Sequence, residues 1–148
     1  MSTRVKIDQA LPEVYKAMMA LAGATATTAL TVTHRELIKI RSSQINGCAF
    51  CIDMHTKDAR KAGETEQRIY ALNAWRDTPF FDEQERALLA LTEEVTLISH
   101  GGVSEETYNN AAAILDEKYI AAAIMAIVTI NAWNRIAIST HLQPALAK

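Results

Sequence analysis

The residues that decide the fold run from Glu36 to His55: Glu36-Leu-Ile-Lys-Ile-Arg-Ser-Ser-Gln-Ile-Asn-Gly-Cys-Ala-Phe-Cys-Ile-Asp-Met-His55. Apolar side chains recur at helical spacing in the first half, and the dipeptide Asn46-Gly47 that follows is typical of a turn. A second helical pattern then continues to Gly63, which suits the end of a helix because glycine adopts a left-handed backbone without strain. The segment predicts two helices joined by a short turn.

Helical spacing of apolar residues recurs along the rest of the chain, and no segment shows sustained alternation of the kind that strands require. We therefore expect an all-α protein. The predicted helices cover about 12–31, 33–46, 48–63, 64–75, 82–100, 104–115 and 117–140. The chain has 148 residues, of which 49% are hydrophobic and 22% charged, which suits one domain over 1–148, a bundle of about six to seven helices.

The charge pattern argues against two classes of partner. The formal net charge is −2, and the charged residues are spread along the chain without a basic cluster. Neither nucleic acid nor an anionic membrane surface is therefore an expected ligand. The start of the chain lacks the apolar region of a signal peptide, and the longest apolar stretch, from Tyr119 to Ile130, is short for a membrane span. We expect a cytoplasmic protein in which that stretch forms a buried core helix.

Both cysteines fall in one motif, Cys48-Ala-Phe-Cys51, and His55 follows one helical turn later. Cysteines three residues apart are close enough for a disulfide, a helix N-terminus favours a thiolate, and an imidazole can move a proton. The pattern predicts a redox-active pair. Two other interpretations stay open: an inert buried pair, and a zinc site with two thiolates and an imidazole.

Glu36 has two interpretations. The run Thr33-His-Arg-Glu36 has the form of a capping box, in which the glutamate satisfies the backbone at a helix start. Alternatively, Glu36 faces His55 if the two helices pack antiparallel across Asn46-Gly47. A carboxylate on the imidazole would then orient it and raise its basicity.

Glu36 followed by Cys48-X-X-Cys51-X-X-X-His55 resembles the active-site pattern of the AhpD-like, or carboxymuconolactone decarboxylase-like, family. Further likeness runs through Ala74-Trp75-Arg76, Pro79-Phe80-Phe81 and Ile130-Asn131-Ala132-Trp133-Asn134-Arg135. The resemblance implies an all-helical fold that assembles as a homo-oligomer, a trimer or a hexamer. It also implies a thiol-dependent alkyl hydroperoxidase or disulfide reductase that needs no haem, flavin or metal.

The resemblance implies a role for each site residue. Cys51 attacks the peroxide and becomes a sulfenic acid, and Cys48, nearer the helix start and more exposed, condenses with it to a disulfide. His55 and Glu36 relay the proton, and an external dithiol or protein reductant resets the pair. One departure is Phe50, because better-known AhpD proteins have a second histidine just before the second cysteine. Lactone decarboxylation is not expected, since the family's decarboxylases lack the cysteine pair.

The alternatives to an enzyme are a redox-sensing or structural homo-oligomer without turnover, and a zinc protein. Zinc would need a fourth ligand from a carboxylate or from His34, His100 or His141. Four aromatic residues, Trp75, Phe80, Phe81 and Trp133, are expected to pack in the core or between subunits. Three polar residues of the last helix, Asn131, Asn134 and Arg135, need partners between helices, across subunits or in the site.

Overall fold

The computed structural model describes residues 4–146, and over these residues the chain is helical with no strand. The helices are α1 (Ile7–Ala10), α2 (Pro12–Ala26), α3 (Val32–Asn46), α4 (Ala49–Lys61), α5 (Glu66–Ala71), α6 (Glu83–Thr96), α7 (Glu105–Ile114) and α8 (Glu117–Thr140). Short 3-10 helices follow α5 (Leu72–Asp77) and α6 (Ile98–His100). The predicted all-α class is confirmed. Over the described residues the structure has one α-helix more than the seven predicted, the single turn α1, which precedes the first predicted helix.

One predicted cap is wrong. The hydroxyl of Thr31, rather than that of Thr33, accepts from the backbone N–H of His34 and begins α3. Glu36 therefore lies inside the first turns of the helix and is not needed to satisfy its start. In contrast, the predicted start of α6 is a true capping box, in which Asp82 accepts from the Glu85 backbone and the Glu85 carboxylate accepts from the Asp82 backbone.

Helices α3 and α4 form an antiparallel hairpin across a very short turn. Gly47 has a φ of +71°, a left-handed conformation that costs a residue with a Cβ about 1–2 kcal/mol. The backbone N–H of Cys48 then donates to the carbonyl of Ser43, and Cys48 becomes the N-cap of α4. Gly63, with a φ of +96°, ends that helix as predicted.

The long helix α8 packs against α3 and α6, and together they bury most of the core. One apolar cluster lies between these helices and α7, with Ile38, Leu91 and Ile127 at its centre. A second cluster lies on the other side of α3, around Ile40, Leu72, Trp75, Phe81 and Leu89. Helix α3 contributes buried residues to both clusters. Close packing on two sides therefore restricts the position of the α3–α4 hairpin.

Helix α8 is long and apolar enough to cross a membrane by length and composition alone, with a mean hydropathy of 1.5 over its most apolar window. Half of that window is buried inside the fold. This burial is the pattern of a core helix, which is the expected role of the stretch from Tyr119 to Ile130.

Candidate active site

Cys48 and Cys51 are joined by a disulfide at the start of α4, with their Cα atoms 5.3 Å apart. Both side chains are almost fully buried, with 1% and 2% of their surface exposed. Because Cys48 is the N-cap, its sulfur accepts from the backbone N–H of Cys51 at 3.4 Å. A helix N-terminus stabilises negative charge on a sulfur at this position once the disulfide is opened.

The expectation that Cys48 is the more exposed cysteine is wrong. Cys48, the N-cap of α4, packs with Ala137 of α8 and the half-buried Phe50, and is no more exposed than Cys51. Cys51 lies at the edge of an open cavity, whereas Cys48 does not line it. A small molecule in the cavity therefore meets Cys51 and not Cys48.

His55 and Glu36 are in contact, as the antiparallel arrangement of their helices predicts. The two buried side chains meet at 3.0 Å between His55 Nδ1 and Glu36 Oε2, and Lys39 Nζ lies 2.8 Å from the other carboxylate oxygen. Burial alone would raise the pKa of Glu36, but the hydrogen bonds from His55 and Lys39 and the positive charge of Lys39 hold that pKa below its ordinary value. An ionised Glu36 only accepts, so His55 Nδ1 donates this hydrogen bond and Nε2 is the ring nitrogen that the bond does not use.

The carboxylate of Asp58 joins Glu36 and His55 in a group whose ligand atoms lie within 4.8 Å of one another. This is the grouping of metal-ligating side chains found among residues 4–146, and neither cysteine belongs to it. Both oxygens of Glu36 already have partners, one of them the cation of Lys39. The arrangement suits a proton relay better than a divalent cation, which Lys39 would repel.

The cavity beside Cys51 has a volume of about 300 Å³ and is mainly apolar. Its walls come from α2, α3, α4 and α8. The lining residues include Tyr15, Met19, Arg35, Lys39, Cys51, Met54, His55, Ala126, Ile130 and Trp133. Trp133 packs edge-to-face on Tyr15 with ring centroids 5.5 Å apart, so it forms a wall of the cavity instead of lying in the core.

Sequence reasoning missed the α2 wall. Tyr15 and Met19 occupy an ordinary amphipathic pattern that predicts a helix but does not indicate what the helix covers. Trp75 and Phe81 do lie in the core as expected, and Phe80 packs against it. The position of an aromatic residue in the sequence therefore does not indicate whether its side chain lies in the core or lines the cavity.

A partly buried polar network connects the turn that carries Cys48 to α8. Asn46 Nδ2 donates to the side-chain oxygens of Asn131 and Asn134, at 2.9 Å each. Asn134 in turn donates to Ser43, whose backbone carbonyl accepts from Cys48. The polar residues of α8 thus pair between helices, which is one of the expected alternatives, and Arg135 bonds back to Asn131 within its own helix. Asn46, expected only as a turn residue, is the centre of this network.

The other histidines stand outside the site. His34 Nδ1 lies 2.7 Å from the hydroxyl of Tyr119, and burial lowers the pKa of His34. His100 and His141 are exposed near the ends of α6 and α8. A zinc site with both cysteines and a fourth ligand from these residues is not formed in the described part of the chain, where the two sulfurs bond to each other.

Comparison with known proteins assigns the family. Residues 12–94 match the model of the carboxymuconolactone decarboxylase family. The chain is 49% identical over 139 residues to the uncharacterized protein YdfG of Bacillus subtilis (strain 168), covering 94% of this chain and 95% of that one. This chain belongs to the carboxymuconolactone decarboxylase family, and AhpD-like proteins are among its structural neighbours.

Two solved structures illustrate the fold. A protein of unknown function from Agrobacterium tumefaciens, named as a candidate antioxidant defence protein AhpD, superimposes with a TM-score of 0.95 at 40% identity, covering 99% of this chain and 100% of that chain. An uncharacterized peroxidase-related protein from Ralstonia eutropha JMP134, described as an alkylhydroperoxidase AhpD core, superimposes with a TM-score of 0.81, covering 93% and 74% of the two chains. At 19% identity, the second likeness concerns the fold alone.

Proposed function

We propose that this protein is a cofactor-free thiol peroxidase that reduces organic hydroperoxides through Cys51 and Cys48. The observation that carries the proposal is the position of the disulfide: Cys51 lines an apolar cavity that also exposes His55, and His55 is held by an ionised carboxylate. Nucleophile, base and orienting group are the parts of an activated cysteine site. The AhpD-like neighbours support the same class of chemistry.

The reaction begins with both cysteines reduced. His55 Nε2 takes the proton of the Cys51 thiol, and the thiolate attacks the terminal oxygen of the hydroperoxide. The O–O bond breaks, Cys51 becomes a sulfenic acid, and the alkoxide leaves as an alcohol after it receives the proton from His55. The thiolate of Cys48 then attacks the Cys51 sulfur, which forms the disulfide and releases hydroxide, protonated to water.

A dithiol must return two electrons to close the cycle. Because Cys51 lines the cavity and Cys48 does not, the incoming thiolate attacks Cys51 and Cys48 leaves as the thiolate. The N-terminus of α4 stabilises that leaving group. The second thiol of the reductant then displaces Cys51 and becomes oxidised to a disulfide. This chemistry needs a reducing compartment, for which we propose the cytoplasm.

The test follows one turnover. The protein is reduced without metal and mixed with one equivalent of cumene hydroperoxide, and free thiols and intact mass are recorded over time. We expect both thiols to disappear together with formation of an intramolecular disulfide. Added dithiothreitol should then restore them and sustain hydroperoxide consumption.

Two matched variants assign the roles. Cys48→Ser should stop at a Cys51 sulfenic acid that dimedone traps, whereas Cys51→Ser should leave the remaining thiol and the hydroperoxide unchanged. Hydroperoxide consumption by Cys51→Ser at the rate of the parent protein would overturn the proposal. Disulfide formation that changes the size of the assembly without turnover would instead indicate a redox sensor.

A further inference from the structure

We propose that the cavity is specific for hydroperoxides that carry a negative charge, and that Arg35 and Lys39 bind that charge. The inference rests on the proposed peroxidase function, of which it names the substrate class. It follows from the lining of the cavity, which is mainly apolar but includes two cationic side chains, those of Arg35 and Lys39.

The apolar part of the cavity has few free polar groups. The hydroxyls of Thr25 and Thr129, which line it, donate to the carbonyls of Ala22 and Met125 in their own helices. The charged residues among its lining are Arg35 and Lys39, His55 also lines it, and no carboxylate side chain of residues 4–146 does. An anionic ligand therefore meets no negative side chain on the cavity wall.

Arg35 is the stronger binding group. Its guanidinium donates from Nη1 to the carbonyl of Ala26 at 2.7 Å, and no carboxylate of residues 4–146 lies within ion-pair distance of it. The half-buried Arg41 and Arg68, in contrast, pair with glutamates. The Arg35 guanidinium donates to a neutral carbonyl and not to a carboxylate of the described residues. Its planar set of N–H groups matches the geometry of a ligand carboxylate.

Lys39 lies one helical turn after Arg35 on the same side of α3. Its ammonium contacts Glu36 at 2.8 Å, so Lys39 adds a second, partly neutralised charge. The pair forms a cationic strip along one wall.

The strip extends away from the reactive sulfur. Because α3 and α4 are antiparallel and Glu36 contacts His55, the α3 residues that precede Glu36 lie further from the cysteine end of α4. Arg35 is therefore just over one turn, roughly 6 Å, further from Cys51 along the helix axis than Lys39 is. The volume of about 300 Å³ holds on the order of ten groups the size of a water molecule. A compact apolar hydroperoxide with a carboxylate at its far end fits both the length and the charge.

The test compares two hydroperoxides of nearly equal size and shape: 4-(2-hydroperoxypropan-2-yl)benzoate and the corresponding benzamide. We expect the parent protein to show a kcat/KM about tenfold to a hundredfold higher for the benzoate, the range that a charge-assisted hydrogen bond gives. The preference should decrease as salt is added, because screening weakens the charge interaction.

Three variants locate the effect. Arg35→Met should bring the ratio of the two kcat/KM values close to one, and Arg35→Lys should keep part of the preference. Lys16→Met, which removes an exposed charge of α2 outside the lining, should keep the ratio of the parent protein. Equal kcat/KM values in the parent protein, or an unchanged ratio in Arg35→Met, would overturn the inference.

A binding measurement separates this inference from the peroxidase function. Calorimetric titration with the unreactive 4-isopropylbenzoate and 4-isopropylbenzamide reports on the cavity without any redox step. Tighter binding of the benzoate, lost in Arg35→Met, supports the cationic site even if no hydroperoxide is consumed. Turnover of both hydroperoxides with equal binding of the two probes would leave the peroxidase standing and overturn the charge specificity.

Discussion

Glu36 is a carboxylate in a place that disfavours its charge. Its side chain is buried between α3 and α4, and burial acts to raise its pKa, yet the contacts from His55 and Lys39 hold the pKa below the ordinary value. The ionised carboxylate fixes the imidazole in one orientation and one tautomer. The same three side chains thus link the stability of the hairpin to the proposed proton transfer.

We predict that Glu36→Gln lowers the rate of Cys51 oxidation by cumene hydroperoxide on the order of a hundredfold, since a misoriented base loses most of the benefit of general base catalysis. The rate is measured by thiol loss in the reduced protein at several pH values. Asp58→Asn is the matched control, because Asp58 lies in the same group but is exposed and makes no hydrogen bond to His55 among the described contacts. A hundredfold loss in Asp58→Asn instead would favour a metal ion held by all three groups.

At the scale of the elements, the position of the disulfide depends on one turn. Gly47 reverses the chain, Cys48 caps α4, and the network of Asn46, Asn131 and Asn134 connects the turn to α8. The turn needs a left-handed residue, and a Cβ at Gly47 would meet no atom within 4 Å. The cost of any side chain there is therefore conformational rather than steric.

We predict that Gly47→Ala lowers the free energy of unfolding by about 1–2 kcal/mol, the cost of the left-handed backbone. Gly23→Ala is the control, for which the opposite sign is expected. Gly23 lies inside α2, and an added Cβ there would also meet no atom within 4 Å. The free energy of unfolding should rise by up to about 1 kcal/mol because alanine has the higher helix propensity. Urea denaturation of both variants measures the difference. Equal effects at the two glycines would show that the turn does not constrain the backbone.

Glu93 ties three elements together. Its carboxylate accepts from Arg41 of α3 and from the indole N–H of Trp75 in the 3-10 helix, at 2.9 and 2.8 Å, and it also pairs with Arg76. Burial acts to raise the pKa of Glu93, but hydrogen bonds from Arg76, Trp75 and Arg41 hold that pKa below its ordinary value. A carboxyl group whose pKa is lower in the folded state than in the unfolded state stabilises the fold at pH values above its unfolded-state pKa. This stabilisation is lost as the pH falls through the folded-state pKa.

We therefore predict that Glu93→Gln lowers the free energy of unfolding at pH 7 by about 1–3 kcal/mol, the range for a hydrogen bond to a charged group. The difference between parent and variant should shrink as the pH falls below about 4.5, the ordinary value for glutamate, because the protonated parent then resembles the amide. Denaturation at pH 7 and at pH 3 checks both statements. A difference that stays constant between these pH values would contradict the assignment.

At the scale of the whole molecule, apolar side chains remain exposed along α2 and α8. Val14 and Met19 of α2 and Met125 and Val128 of α8 are each more than 40% exposed, and an apolar groove lined by Leu21, Ala121 and Met125 runs between the two helices. Exposed apolar side chains on these two helices favour contact with another protein surface. This feature agrees with the expected homo-oligomer, which stays a prediction.

We predict that the protein is a trimer or a hexamer in solution, measured by light scattering after size-exclusion chromatography. Met125→Glu should dissociate the assembly, because the contact would bury an unpaired charge. Tyr70→Glu changes an apolar side chain that is 73% exposed and lies outside this groove, and it should leave the size unchanged. A monomer for the parent protein at micromolar concentration would contradict the prediction.

The sequence by itself determined the helical class, most helix boundaries and the motif of Cys48, Cys51 and His55, because periodicity, turn residues and short spacings act within a few turns of chain. It left two interpretations for Glu36, and the tertiary structure brings Glu36 into contact with His55. It did not determine that Cys48 is buried, that Thr31 caps α3, or that Trp133 and Tyr15 form a cavity wall. These features depend on how α2 and α8 pack onto the α3–α4 hairpin. A helical pattern shows which side chains share a face, but only the tertiary structure decides whether that face meets a core, a cavity or solvent.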